Sequence, residues 1–118
     1  MKKNLFASIF VMMVYATNLL ANEVNIFSAR HYDSDVQLYE KFTNKTGINV
    51  NVISGKSGAL EKRIIEEGAD SKADLYITAD AGRLGAFAAN LQGGLISDSI
   101  KSAVPKNFRT TKWVGIAR

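Results

Sequence analysis

Val24-Asn25-Ile26-Phe27-Ser28-Ala29-Arg30-His31-Tyr32-Asp33-Ser34-Asp35 is the stretch on which the fold turns. Its apolar start, Val24 to Phe27, has the length of a strand buried in a parallel sheet, and it gives way to small residues. A cation, an imidazole and a phenol then stand side by side. The Asp-Ser-Asp that follows suits a helix start, with Asp33 or Ser34 as N-cap and Asp35 in the first turn. This reads as a strand that delivers chemistry at its carboxyl end, which is where open α/β sheets bind ligands. His31, the single histidine of the chain, falls there.

Outward from this block the sequence alternates short strands with helical periods. Val36, Tyr39 and Phe42, with Leu38 beside them, share a helical face, and Gly47 ends that element. Ile48 to Ile53 alternates as a second strand, and Ser54 to Gly58 forms a loop. A helix over 59–67 turns Leu60, Ile64 and Ile65 inward and stops at Gly68. Ala73 to Thr78 is a third strand, with Asp74 at its start. Asp80 caps a helix over 81–92, whose Leu84, Phe87, Ala88 and Leu91 lie on one face before Gly93-Gly94. An irregular part around Pro105 leads to Trp113-Val114-Gly115-Ile116, which reads as a new strand. Three successive βα units imply a parallel sheet with right-handed crossovers, so the loops at 29–33, 54–58 and 78–80 open on one edge. Residues far apart in sequence, His31 and Asp80 among them, can therefore converge there.

The 118 residues are 47% hydrophobic and 22% charged, the proportions of an ordinary single globular domain. Met1-Lys2-Lys3, an apolar run from Leu5 to Val14 and a small residue at Ala21 have the layout of a secretory signal. Cleavage is expected after Ala21, with Ala16 as the other option. The apolar run is shorter than the ~20 residues of a membrane span. Of 15 basic residues, Lys2 and Lys3 belong to this leader, which leaves 13 against 11 acidic ones. No basic stripe remains to neutralise phosphates, which argues against a nucleic-acid partner. The absence of cysteine excludes disulfides, thiolate metal sites, a cysteine nucleophile and a lipid-modified Cys.

Gly55-Lys56-Ser57 suggests a phosphate loop, but that motif places a glycine where this chain has Val50, so a nucleotide-triphosphate site is rejected. A lone histidine is ordinarily a surface residue. The adjoining phenol changes that: a deprotonated tyrosine is a hard anionic oxygen donor suited to ferric iron, and imidazole with phenolate fits iron better than magnesium or calcium. Tyr39 and Tyr76 read as packing residues. Asp80 reads as a cap rather than a ligand.

On these residues the sequence resembles the periplasmic ferric-iron-binding proteins of bacterial ABC uptake systems, which have the type II periplasmic-binding fold. The blocks that carry the likeness are Val24 to Asp35, Leu38 to Thr43 with Thr46-Gly47-Ile48, Glu67 to Asp74, Ile77 to Leu84, and Trp113 to Ile116. The resemblance implies an α/β lobe built on a parallel sheet of βα repeats, with residues 1–21 as signal peptide and 22–118 as a partial N-terminal lobe whose second lobe is missing. It implies His31 and Tyr32 as ligands of Fe3+. Arg30 is then a contact to an anion or to the cleft. The acidic ligand of another branch aligns with Ala79 and does not carry over.

The function so implied is ferric-iron capture in the periplasm by a soluble monomer. The partners would be ferric ion and an inner-membrane ABC permease, with a synergistic anion such as carbonate. No enzymatic step is expected. Two donors on one open lobe should bind weakly, and the truncated sheet should expose an edge and apolar faces. Two rivals are kept. One is a solute-binding protein for an oxyanion or polyamine, an anion using the helix starts at Ser34 and Ser57 with Arg30. The other is a receiver-like phosphoacceptor holding Mg2+ on Asp33, Asp35 and Asp80.

Overall fold

The computed structural model describes residues 22–91 and 96–116. Three parallel strands make its sheet: β1 (Glu23–Ser28), β2 (Asn49–Ser54) and β3 (Leu75–Ile77), in the order β2-β1-β3. Helix α1 (Asp33–Thr46) links β1 to β2, and α2 (Ser57–Glu67) with a 3₁₀ turn at Gly68–Asp70 links β2 to β3. After β3 come α3 (Ala81–Phe87), a 3₁₀ turn at Ala88–Asn90, and α4 (Asp98–Ala103). The parallel α/β lobe expected from the sequence is present.

The register sets what each face of the sheet carries. Phe27 is level with Ile53 on one side and Tyr76 on the other, so these three share a face. Leu60 and Phe87 are buried, and the Phe87 ring meets Tyr76 edge-on at 5.6 Å between centroids. Phe27 has no exposed surface at all, and the Arg63 guanidinium lies 4.9 Å from its ring centre. The opposite face carries Ile26, Ser28, Val50 and Val52. It is thinly covered, because α1 buries none of its residues and Val36 and Leu38 are both 55% exposed. Part of the uncovered apolar surface expected from the sequence therefore lies on α1, and more lies at Val52 and Leu75 of the sheet.

Local chemistry explains most element ends. Gly47 takes φ +73°, a left-handed conformation that closes α1 and that a side chain would oppose. Asp80 caps α3 by accepting from the amides of Gly82 and Arg83. Asp74 ties the start of β3 to β1: its carboxylate accepts from the Asn25 amide at 2.8 Å, and its own amide donates to the Asn25 carbonyl at 2.9 Å.

Several expectations need correction. The N-cap of α1 is Tyr32, without a side-chain cap, because Asp33 is already helical and Asp35 is turned toward Arg30. Helix α2 begins at Ser57 rather than 59, and its Ile65 faces solvent at 54% exposure. Strand β3 is confined to Leu75–Ile77, since Ser71 draws the preceding chain into a turn by accepting from the Ala73 amide. Helix α3 tightens to 3₁₀ after Phe87. The segment read as irregular contains α4, capped by Ser97. Trp113 to Ile116 does not join the sheet; Val114 makes a single antiparallel bridge with Arg109. The leader at 1–21 and the glycine pair Gly93-Gly94 lie outside the described residues.

Candidate functional site

The carboxyl ends of the strands finish level, Ser28 opposite Ser54 and Ile77. Beyond them the chain is pinned at two points, the Ala29 amide donating to the Ile77 carbonyl at 2.8 Å and the Gly55 amide to the Ser28 carbonyl at 3.1 Å. Buried Ser28 steers the exit of β1 through its hydroxyl, which donates to the Arg30 carbonyl and accepts from the Arg30 amide. The loop carrying Arg30, His31 and Tyr32 therefore leaves the sheet in a fixed direction. Its far end is held as well, by the Asp35 amide donating to the Tyr32 carbonyl at 3.0 Å.

That loop forms the rim of a depression of about 660 Å3 between α1, β2 and the end of β1. His31 and Tyr32 both line it and both are exposed, Tyr32 at 58%. The floor is mixed: Val50 and Val52 from the sheet, Val36 and Tyr39 from α1, with Ser54 and Thr43 adding hydroxyls. Burial, then the charge of Asp35, push the Tyr39 phenol above its ordinary pKa, so this second tyrosine is disfavoured as an anionic donor.

Arg30 also lines the depression, with its guanidinium engaged. Its Nε and one terminal nitrogen donate to the two carboxylate oxygens of Asp35 at 3.2 and 3.0 Å, and its central carbon lies 5.0 Å from the Tyr32 ring centre. Asp35, expected from the sequence as a first-turn residue and as a magnesium donor in the receiver-like alternative, is instead the partner of Arg30. Arg30 and Asp35 stand five residues apart, off the helical spacings, so no linear pattern announces the pair.

Asp80 does not line this depression; it caps α3. Among the described residues no three His, Asp or Glu side chains cluster as a metal site, so Asp33, Asp35 and Asp80 do not assemble the magnesium cluster of the receiver-like reading. Chemically, the lobe offers an imidazole and a phenol next to each other on a solvent-facing rim, above a pocket that no other part of the described chain closes.

The sequence profile of the bacterial extracellular solute-binding proteins matches residues 36–108, beginning just after the His31-Tyr32 pair. The chain is 41% identical over 101 residues to iron uptake protein A1 of Synechocystis sp., an alignment that covers 81% of this chain and 28% of that protein. Its fold is similar to that of IdiA (FutA) from Trichodesmium in complex with iron and citrate, with 43% identity and a TM-score of 0.69, over 77% of this chain and 29% of the other. It is similar also to iron-bound HitA from Pseudomonas aeruginosa, with 28% identity and a TM-score of 0.72, over 80% of this chain and 32% of the other. The chain thus spans less than a third of the length of each of these relatives. Among the described residues no helix is long and apolar enough to cross a membrane.

Proposed function

Since the chain belongs to the family of bacterial extracellular solute-binding proteins, we propose that it serves to capture ferric iron in the periplasm and to hand it to an inner-membrane ABC permease. Such a protein binds and releases its cargo; no bond in the cargo is made or broken, and it is not an enzyme.

The observation that carries this reading is the adjacency of His31 and Tyr32 on an exposed rim at the carboxyl edge of the sheet. Ferric ion is hard and highly charged, and a phenolate meets it with an anionic oxygen while the imidazole adds a neutral nitrogen. Relatives described as iron uptake proteins, and neighbours solved with iron, support the choice of cargo. The citrate in the Trichodesmium complex supports delivery as a chelate. Two donors leave most of the coordination sphere to other groups. In this reading the rest comes from a second lobe beyond the partial N-terminal lobe at 22–118, with a synergistic anion such as carbonate, and the working unit is a monomer exported by a leader at 1–21. Closure of two lobes then excludes water and supplies much of the affinity.

Ferric citrate added to the protein tests this directly. A phenolate bound to ferric ion gives a visible charge-transfer band. That band is expected with the native chain and is expected to disappear in Tyr32→Phe. An oxyanion- or polyamine-binding protein, or a magnesium-binding phosphoacceptor, gives no such band, and its absence at saturating ferric citrate, from this chain and from a version that carries the second lobe, overturns the iron assignment.

A further inference from the structure

Arg30 and Asp35 bracket the two candidate donors: one stands immediately before His31, the other at the third residue of α1. Both side chains are largely withdrawn from water, at 14% and 17% exposure, whereas the tyrosine between them is 58% exposed. Two hydrogen bonds of 3.2 and 3.0 Å fix the guanidinium plane against the carboxylate. The same guanidinium lies over the Tyr32 ring at 5.0 Å. An arginine held along one edge and stacked on an aromatic ring has little freedom left, and neither does the ring.

We infer that Arg30 and Asp35 form a positioning pair for Tyr32, holding its ring so that the phenolic oxygen faces the depression before metal arrives. The inference rests on the proposed ferric site. It changes the part expected of Arg30 from contact with an anion or the cleft to support of a donor. An exposed tyrosine on a loop ordinarily samples several rotamers, and freezing one of them on binding costs affinity. Here that ordering is already done by the ion pair, on a loop whose ends are held separately by backbone amides, that of Arg30 donating to the Ser28 hydroxyl and that of Asp35 to the Tyr32 carbonyl. Lysine cannot replace this arginine, because it has neither the planar fork for Asp35 nor a flat face for the ring.

The experiment uses the 118-residue chain, with ferric nitrilotriacetate as probe and far-ultraviolet circular dichroism as the check on folding. Arg30→Lys and Asp35→Asn preserve size and are each expected to weaken ferric binding roughly ten- to a hundred-fold, as happens when groups that orient metal ligands are removed. Both should also shift the charge-transfer maximum, which a general loss of stability would not do. Because the two residues act as one unit, the double variant should lose no more than the worse single one. Unchanged affinity and an unchanged band in both variants, or fully additive losses, overturn the inference. If those variants are silent while Tyr32→Phe abolishes the band, the positioning pair falls and the ferric site stands. If Tyr32→Phe also leaves the band intact, both fall.

Discussion

Arg83 grips Glu61 with two hydrogen bonds, 2.7 and 3.0 Å, and so ties α3 to α2 across the end of β3. Glu61 also accepts from the Tyr76 hydroxyl at 2.8 Å, which draws the strand into the same knot. Two of the three loops at the carboxyl edge of the sheet, 54–58 and 78–80, lead into the helices joined in this way.

The knot has a signature in alkali. Burial, then the hydrogen bond to Glu61, hold the Tyr76 phenol above its ordinary pKa, and Tyr39 is raised in the same direction, chiefly by burial. A phenol that keeps its proton longer when folded than when unfolded adds stability that is whole below about pH 10 and declines as pH rises through and beyond that value. Thermal melts taken between about pH 9 and 11 should therefore fall less steeply for Tyr76→Phe than for the native chain. Equal slopes would remove Tyr76 from the alkaline transition.

Glu61→Gln should release the same phenol in part. The amide retains a hydrogen-bond acceptor but loses the charge that binds Arg83, so Tyr76 should titrate closer to its ordinary value and the melting temperature should drop. Ultraviolet difference titration of the phenolate, compared with Tyr76→Phe to assign the signal, checks the first; calorimetry checks the second.

Gly47 should resist replacement for a backbone reason alone. Nothing lies within 4 Å of where its Cβ would stand, yet φ is +73°. Gly47→Ala should cost about 1–2 kcal/mol, the ordinary penalty of the left-handed region, and Gly47→Asn less. Denaturant unfolding reads the difference, and equal stabilities for the three residues would contradict the closure assigned to this position.

The bare face of α1 should be editable without loss. Val36 and Leu38 are each 55% exposed, so Leu38→Glu should change stability by no more than about 0.5 kcal/mol. Denaturant unfolding of the two chains reads the difference. Phe27→Ala, at the wholly buried centre of the other face, should cost about 3–5 kcal/mol and leave no cooperative transition in so small a core.

Elements governed by local chemistry were readable in the sequence. The apolar run into Ser28, the left-handed stop at Gly47 and the cap at Asp80 need only their neighbours, and each lies where the residues put it. Elements that need distant partners were not. Trp113 to Ile116 has strand composition, but pairing depends on an adjacent strand, and Val114 reaches only Arg109. The helical stripe of Val36, Tyr39 and Phe42 was legible as a pattern, though a pattern does not reveal whether anything packs against it. At the site, the position of His31 and Tyr32 on the sheet edge followed from the strand, whereas the pairings of Arg30 with Asp35 and of Glu61 with Arg83 follow no helical spacing and emerge only in three dimensions.

Resonance Raman scattering excited within the visible band of the ferric-loaded chain tests the central claim most directly, because it registers the ring modes of a tyrosinate bound to iron and of nothing else in the sample. Tyrosinate modes are expected from the native protein and from Tyr39→Phe and Tyr76→Phe, and they should vanish in Tyr32→Phe. Modes that persist in Tyr32→Phe, or that disappear with either of the other tyrosines, would contradict the assignment of Tyr32 as the donor.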